Sequence, residues 1–587
     1  MAYDYLAPIV DMRFVMHEVL QAPRAWQQCD SRPEWAELDH DTVTAILEEA
    51  AKFAREVLLP LNATGDQQGC VRHADDRVST PAGYREAYQA FVQAGWPALP
   101  CEPDWGGQGL PMLLDAAVRE MLIACNPAWE MYPDLLHGAY ETIKAHASEA
   151  LKKDYLPKLV SGEWLAAMAL TEAQAGSDLG LLRTQAVPQP DGSLRISGSK
   201  IFISGAVHDL TDNIVHLVLC RLPDAPPGSR GISLALVPTV LPDGQVNTIT
   251  CDGLEHKMGI HGSATCAISY DKAIGWLIGE AGKGLSAMFL MMNSARLHVG
   301  LQGLAHQEIA TQNAERQAWD RQQGRSVAQA GTSAIAHHPA MRHILLRRRA
   351  MLEAQRVIAY RAALALDLSA HHRDAHVRQS EQALAAFMTP IIKAFLTQQG
   401  FQGASEALQV FGGYGYVREL GIEQTLRDAR IAMIYEGTNE IQAIDLLQRK
   451  ILGDGGATLK AWMSQAQEEV EQCRQTGLAD VAQRLNAELE QARAALDHLM
   501  TRLLQSPELA LHVADEVLQA LSYTMMAWAH AASIRCALHS PTLAPPAAQA
   551  KLDVHRYGLQ WLLPQSGVHW QRVCAGDLTL PQLQPTH

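Results

Sequence analysis

The sequence predicts a mainly α-helical protein with a β-domain set in its middle. Three observations carry this. Apolar residues recur at helical spacing up to about residue 164 and again from Gly284 to about residue 452. From residue 165 to 280, short runs rich in β-branched residues alternate with turn signals. After a glycine-rich break, Gly453-Asp-Gly-Gly456, helical spacing resumes. The expected domains are an extension at 1–40, a helical domain at 41–164, a β-domain at 165–280, a helical bundle at 281–452 and an extra helical domain at 458–587.

In the extension, residues 8–20 form a short amphipathic lead-in. Val43 to Leu58 holds helical spacing without Pro or Gly, and Pro60 is expected to close that helix. The segment Gly95-Trp-Pro-Ala-Leu-Pro100 through Leu110 is a turn-rich connection between helices. In the β-domain, runs at 195–203, 213–219 and 232–237 are separated by Pro190-Asp-Gly192, residues 223–228 and Pro242-Asp-Gly244, which suits a small barrel or sandwich. In the tail, Leu496, Leu499, Met500, Leu503 and Leu504 share one helix face.

With 587 residues, 48% hydrophobic and 19% charged, the chain is ordinary globular material for several domains. Its net charge of -15 disfavours nonspecific nucleic-acid and anionic-membrane binding. The ten cysteines are scattered, with no C-x-x-C pair, as expected for reduced thiols in the cytoplasm. Met1-Ala-Tyr-Asp-Tyr5 has neither a basic nor an apolar signal region, so no secretory signal is expected. No window reaches the roughly 20 apolar residues of a membrane span. His371-His-Arg-Asp-Ala-His376 and Arg347-Arg-Arg349 are expected to be solvated or salt-bridged helix faces, and no metal site is expected.

Three stretches carry candidate chemistry. Glu436 follows the apolar run Ile431-Ala-Met-Ile-Tyr435 and precedes Gly437, which leaves room for a ligand to come close. Thr438 and Asn439 suit the start of a helix. A carboxylate walled by apolar residues is poorly solvated, so its pKa should rise from about 4.3 into the range of a usable base. On these residues alone, a solvent-facing cap remains the alternative. In Met168-Ala-Leu-Thr-Glu-Ala-Gln-Ala-Gly-Ser-Asp178, Thr171 and Ser177 supply hydroxyls, and Ala175 and Gly176 permit close backbone approach; an ordinary strand-to-loop exit is the alternative. In Lys200-Ile-Phe-Ile-Ser-Gly205, Phe202 and Ser204 share one face of a regular strand, a pattern that also suits a core.

The segment Ile434-Tyr-Glu-Gly-Thr-Asn-Glu-Ile-Gln442 resembles the signature of the acyl-CoA dehydrogenase family. The order helices, β-domain, helices is also that family's, and the resemblance covers about residues 40–452. The extension and the tail resemble the branch that includes 3-methylmercaptopropionyl-CoA dehydrogenase. The resemblance implies the acyl-CoA dehydrogenase fold with an extra C-terminal helical domain, FAD as cofactor, and α,β-dehydrogenation of an acyl-CoA to the trans-2-enoyl-CoA. It implies that Glu436 removes the α-proton while a hydride leaves the β-carbon for FAD. The Glu436 amide and a ribityl hydroxyl would donate to the thioester oxygen.

By the same resemblance, Met168, Leu170 and Thr171 lie against the flavin, and Ser177 lies near flavin phosphate or CoA. Phe202 and Ser204 stand where the family usually has Trp and Thr, and Ala173-Gln174 replaces its usual Pro-Gly. Asn293 and Arg296 would face CoA, Gly437 the substrate, and Thr438 the cofactor. Arg321, Gln409 and Gly413 would reach the FAD of a neighbouring subunit, which implies a homodimer or a dimer of dimers. Electron-transfer flavoprotein is the implied acceptor. An acyl-CoA oxidase and a DNA-binding alkylation-response flavoprotein share the fold; the tail's nine basic against twelve acidic residues speak against the second. The tail is expected to pack in the dimer. Spacing does not fix the acyl chain.

Overall fold

The computed structural model describes residues 3–325 and 331–576; Met1, Ala2 and residues 577–587 of the expected tail domain lie outside them. Helix His40–Phe53 starts at Asp39, whose carboxylate accepts the Thr42 amide at 2.8 Å. Pro60 does not end it. A wide turn at Ala54–Leu58 leads into helix Leu59–Gln68, with Pro60 in the first turn, where no amide donor is needed. A small hairpin, Val71–Arg72 with Val78–Ser79, interrupts a region that the sequence reads as wholly helical.

The β-domain closes on itself. Strand Ile214–Arg221 pairs in parallel with Leu165–Ala169 and antiparallel with Ile232–Pro238. The latter pairs with Thr265–Ile278, which pairs with Leu194–Ser204. Gln185–Pro188 bridges Leu194–Ser204 back to Ile214–Arg221. Leu165–Ala169 is buried along its whole length, and Ile214–Arg221 along all but its last residue. Such strands give a continuous apolar run and no alternation for the sequence to show.

The bundle is built on helices Gly284–Asp320, Pro339–His371, Ala375–Ile391 and Thr397–Phe411. A Cβ on Gly400 would lie 2.4 Å from the Gly303 carbonyl oxygen, so helices Gly284–Asp320 and Thr397–Phe411 cross backbone against backbone. Tail helix Leu509–Leu538 packs on Pro339–His371 and on the short helix Asn439–Ile444 of its own chain. Leu496, Leu499 and Leu503 face inward as expected, but Leu504, just past its helix, is exposed.

One apolar cluster runs from Tyr5 to Val573, so extension, bundle and tail share a core. Charges cross it in pairs. Arg356, fully buried, bonds Glu120 (2.6 Å), Glu308 (2.5 Å) and Asp11 of the extension. Lys551 of the tail bonds the same Asp11 and Glu353 (2.9 Å). The histidine run is not a solvated face: His371 packs edge-on against Trp35, and His372 is buried and bonded to Gln28. Among the described residues, no group of three or more His, Cys, Asp or Glu is placed to hold a metal, and no helix is long and apolar enough to cross a membrane.

Candidate active site

Glu436 sits at the turn between a 3-10 segment, Arg430–Met433, and helix Asn439–Ile444, which Thr438 caps by accepting the Ile441 amide at 3.4 Å. The turn is left-handed twice over, with φ of 56° at Glu436 and 86° at Gly437. A non-glycine residue holds that conformation only where its surroundings enforce it. Three side chains from separate parts of the chain do so. Arg296 Nε donates to the Glu436 carbonyl at 3.4 Å, Gln442 Nε2 donates to it at 3.1 Å, and Lys393 Nζ donates to the Gly437 carbonyl at 2.6 Å.

Gly437 therefore answers a need that differs from the one read in the sequence. A Cβ there would lie 2.7 Å from Gln442 Nε2, so the glycine makes room for the clamp behind the turn. Arg296, expected to face CoA, is buried, bonded to the Glu436 carbonyl and 3.8 Å from Asp445. Asn293, one turn earlier on the same helix, is exposed.

Glu436 as a whole residue is half-buried. Burial nevertheless pushes its pKa up to about 7. The charges of Arg296 and Lys393 pull it down, and Asp134 pushes it up. Tyr435 beside it bonds Gln302, and its hydroxyl lies 3.5 Å from Met131 Sδ. Asp134 is held by His298 Nδ1 at 2.6 Å. Sequence reasoning gave no role to Lys393, Gln442 or Asp134. Lys393 did leave a signal: it stands alone in the apolar run Pro390-Ile-Ile-Lys-Ala-Phe-Leu396, where a charge must find a buried partner.

The second and third stretches come together. The Ile201 amide donates to the Thr171 carbonyl at 3.0 Å, and Lys200 Nζ donates to the Leu170 carbonyl at 2.9 Å. Met168 and Leu170 pack with Leu135, Met291 and Met292. Phe202 and Ser204 do not follow simple alternation. The pairing with Thr265–Ile278 shifts between Lys200 and Ile203, and Phe202 takes φ of 61° at this bulge. The bulge turns the phenyl out of the sheet, where it is 59% exposed. Ser177 is exposed as well.

Arg321, Gln409 and Gly413 form a separate exposed group. The Arg321 guanidinium lies 6.0 Å from the Tyr414 ring centre, beside Gly413. Arg321 follows helix Gly284–Asp320, about 37 Å along it from Arg296 at 1.5 Å per residue.

Family models cover most of the chain. Those described as acyl-CoA dehydrogenase N-terminal, middle and C-terminal domains match residues 40–163, 167–273 and 282–451. A model described as acetyl-CoA dehydrogenase C-terminal like matches 458–584. The chain is 42% identical to 3-methylmercaptopropionyl-CoA dehydrogenase of Ruegeria pomeroyi, over 86% of this chain and 87% of that one.

The chain belongs to the acyl-CoA dehydrogenase family.

This family member is also 34% identical to a butyryl-CoA dehydrogenase of Syntrophomonas wolfei, over 79% of this chain and 78% of that one. Its fold matches that of an acyl-CoA dehydrogenase of Bacillus anthracis with a TM-score of 0.75 at 21% identity, over 92% of this chain and 89% of that one. As an acyl-CoA dehydrogenase it is an oxidoreductase.

Proposed function

We propose that this enzyme uses FAD to convert an acyl-CoA to its trans-2-enoyl-CoA, with Glu436 as the base. The observation that carries the reading is a carboxyl on a left-handed turn locked by three donors, where burial pushes its pKa up to about 7. A group poised near neutrality holds enough carboxylate to accept a proton and is basic enough to drive the transfer. A locked turn spares the base the reorientation that would otherwise add to the barrier.

The residues present fit a flat ring with polar edges. Phe202 stands out of the sheet beside the Thr171 strand exit, and Thr171, Ser177 and Ser204 carry hydroxyls along it. When bound, FAD accepts the hydride from the substrate β-carbon. Met168 and Leu170 supply apolar surface against the ring, and Thr171 and Ser204 bond its edge. Glu436 takes the α-proton, and its own amide donates to the thioester oxygen as charge builds there. Asn293 and Ser177, both exposed, suit contact with CoA, and Thr438, at the head of the next helix, suits contact with the cofactor. Because Arg321, Gln409 and Gly413 lie far from the base along the bundle, they suit the FAD of a second subunit, which makes the active unit a homodimer. Electron-transfer flavoprotein is the proposed acceptor, and the acyl group is the substrate's variable part, with 3-methylthiopropionyl and butyryl chains the first to test.

The test is Glu436→Gln. The purified variant should stay yellow and bind acyl-CoA, and the flavin absorbance should not bleach when acyl-CoA is added without oxygen. Substantial bleaching would assign the base to another residue.

A further inference from the structure

We propose that Lys393 is a positioning residue for Glu436: its ammonium clamps the turn from behind and sets the proton affinity of the base. This rests on the reading of Glu436 as the base.

Lys393 is fully buried. It lies in a wide helical turn, Ile392–Leu396, whose neighbours Ile392, Ala394, Phe395 and Leu396 are all buried. A lysine in such a place needs its charge matched. Its Nζ donates to the Gly437 carbonyl at 2.6 Å and to Asn439 Oδ1 at 3.1 Å. Asn439 is itself fixed, donating to the Ala394 carbonyl at 3.0 Å and lying 3.3 Å from Thr397 Oγ1. Both ends of the clamp are thus anchored to one turn of helix, and neither bond is to a carboxylate. The ammonium therefore acts electrostatically on the carboxyls around it, Glu436 ahead of Glu440.

The other charges around this pair are accounted for. Arg296 approaches from helix Gly284–Asp320 and is matched by Asp445. Asp134 approaches from helix Pro127–His146 and is matched by His298 and Arg119. Glu440, exposed, faces Lys393 from the next helix, and Asp515 of the tail faces Glu440. Of these, Lys393 is a cation that binds the catalytic turn without a carboxylate ligand of its own. Burial pushes its pKa down to about 7, and Glu436 holds it up. Each of the two favours the charged form of the other, against the burial that opposes both charges. Tail residue Tyr523 packs edge-on against Phe395, two residues from Lys393, which ties the tail to the rear of the clamp.

The experiment compares Lys393→Met, Lys393→Gln and Lys393→Arg in the full-length holoenzyme. The Glu436 carboxyl is titrated by infrared difference spectroscopy, with its band assigned by its loss in Glu436→Gln. Methionine and glutamine remove the charge, while glutamine can still donate to the Gly437 carbonyl. Both should move the Glu436 midpoint up by about one pH unit or more, as expected on losing an opposite charge at close range. Turnover at pH 7 should fall about tenfold and recover at higher pH, with FAD content retained in the glutamine variant. Arginine should restore the midpoint. An unmoved midpoint in Lys393→Gln would overturn the proposal whether or not Lys393→Met folds. If Glu436→Gln itself keeps turnover, the base assignment fails instead, and the infrared midpoints still report on the clamp.

Discussion

Lys200 Nζ lies 2.9 Å from Glu172 Oε1, with both side chains shut away from solvent. The pair joins the bulged strand that carries Phe202 to the loop that carries Thr171. Burial pushes Glu172 up, but Lys200, Thr184 and the Arg183 amide hold it down at about 2.

Breaking this pair should be severe. Lys200→Met leaves a buried carboxylate unmatched, at a cost of about 3–5 kcal/mol. The same substitution frees the Leu170 carbonyl, so FAD should dissociate on dilution. Thermal unfolding and flavin content after gel filtration check both. Because the Glu172 pKa is depressed, its contribution is present above about 4.5 and is lost as pH falls toward 2. Wild-type acid unfolding should be steep in that window, and shallower in Lys200→Met.

The pH dependence of flavin reduction should follow Glu436. With a folded pKa of about 7, the active carboxylate is present above that pH and disappears below it. The second-order rate constant at low acyl-CoA, which reports the free enzyme, should drop about tenfold per unit on the acid side and level off above about pH 8. Stopped-flow traces from pH 5.5 to 9 measure it. A flat profile would remove Glu436 from the rate-limiting proton transfer.

Gly437→Ala places a Cβ 2.7 Å from Gln442 Nε2 at a residue with φ of 86°. Strain and a displaced amide together should cost about 1–3 kcal/mol. The carboxyl would move with its turn, so flavin reduction should slow at least tenfold while FAD stays bound. Rapid-mixing kinetics beside a melting curve separate the two effects.

Lys551→Met removes the tail's partner for Asp11 and Glu353. The melting temperature should fall by several degrees, in line with about 3–5 kcal/mol for breaking a buried pair. Adding Asp11→Asn should recover part of the loss, since it removes one of the two carboxylates that lost Lys551, and Asp11 alone of these still has Arg356. A double-mutant cycle gives the coupling directly. Strict additivity would mean that extension and tail do not communicate through this pair.

Several features of the site were legible before any coordinates. Glu436-Gly437-Thr438 marked a carboxyl at a turn with a helix cap behind it, because capping and left-handed turns are chosen by residues next to one another. Other features were not. Pro60 looked like a stop, but the wide turn before it let the helix run on. Phe202 looked like one position in a regular alternation, and a bulge rotated it outward. Gly437 looked like open space, and Gln442 fills it.

What the residues alone determined is local: periodicities, caps, turns, and a family signature around one carboxyl. What only the tertiary structure decided is how basic that residue is and what holds it still. The field at one carboxyl sums charges from Asp134, Arg296 and Lys393, which lie on separate helices and meet only when the bundle packs. Electrostatic energy depends on distance in space, and distance along the chain does not report it.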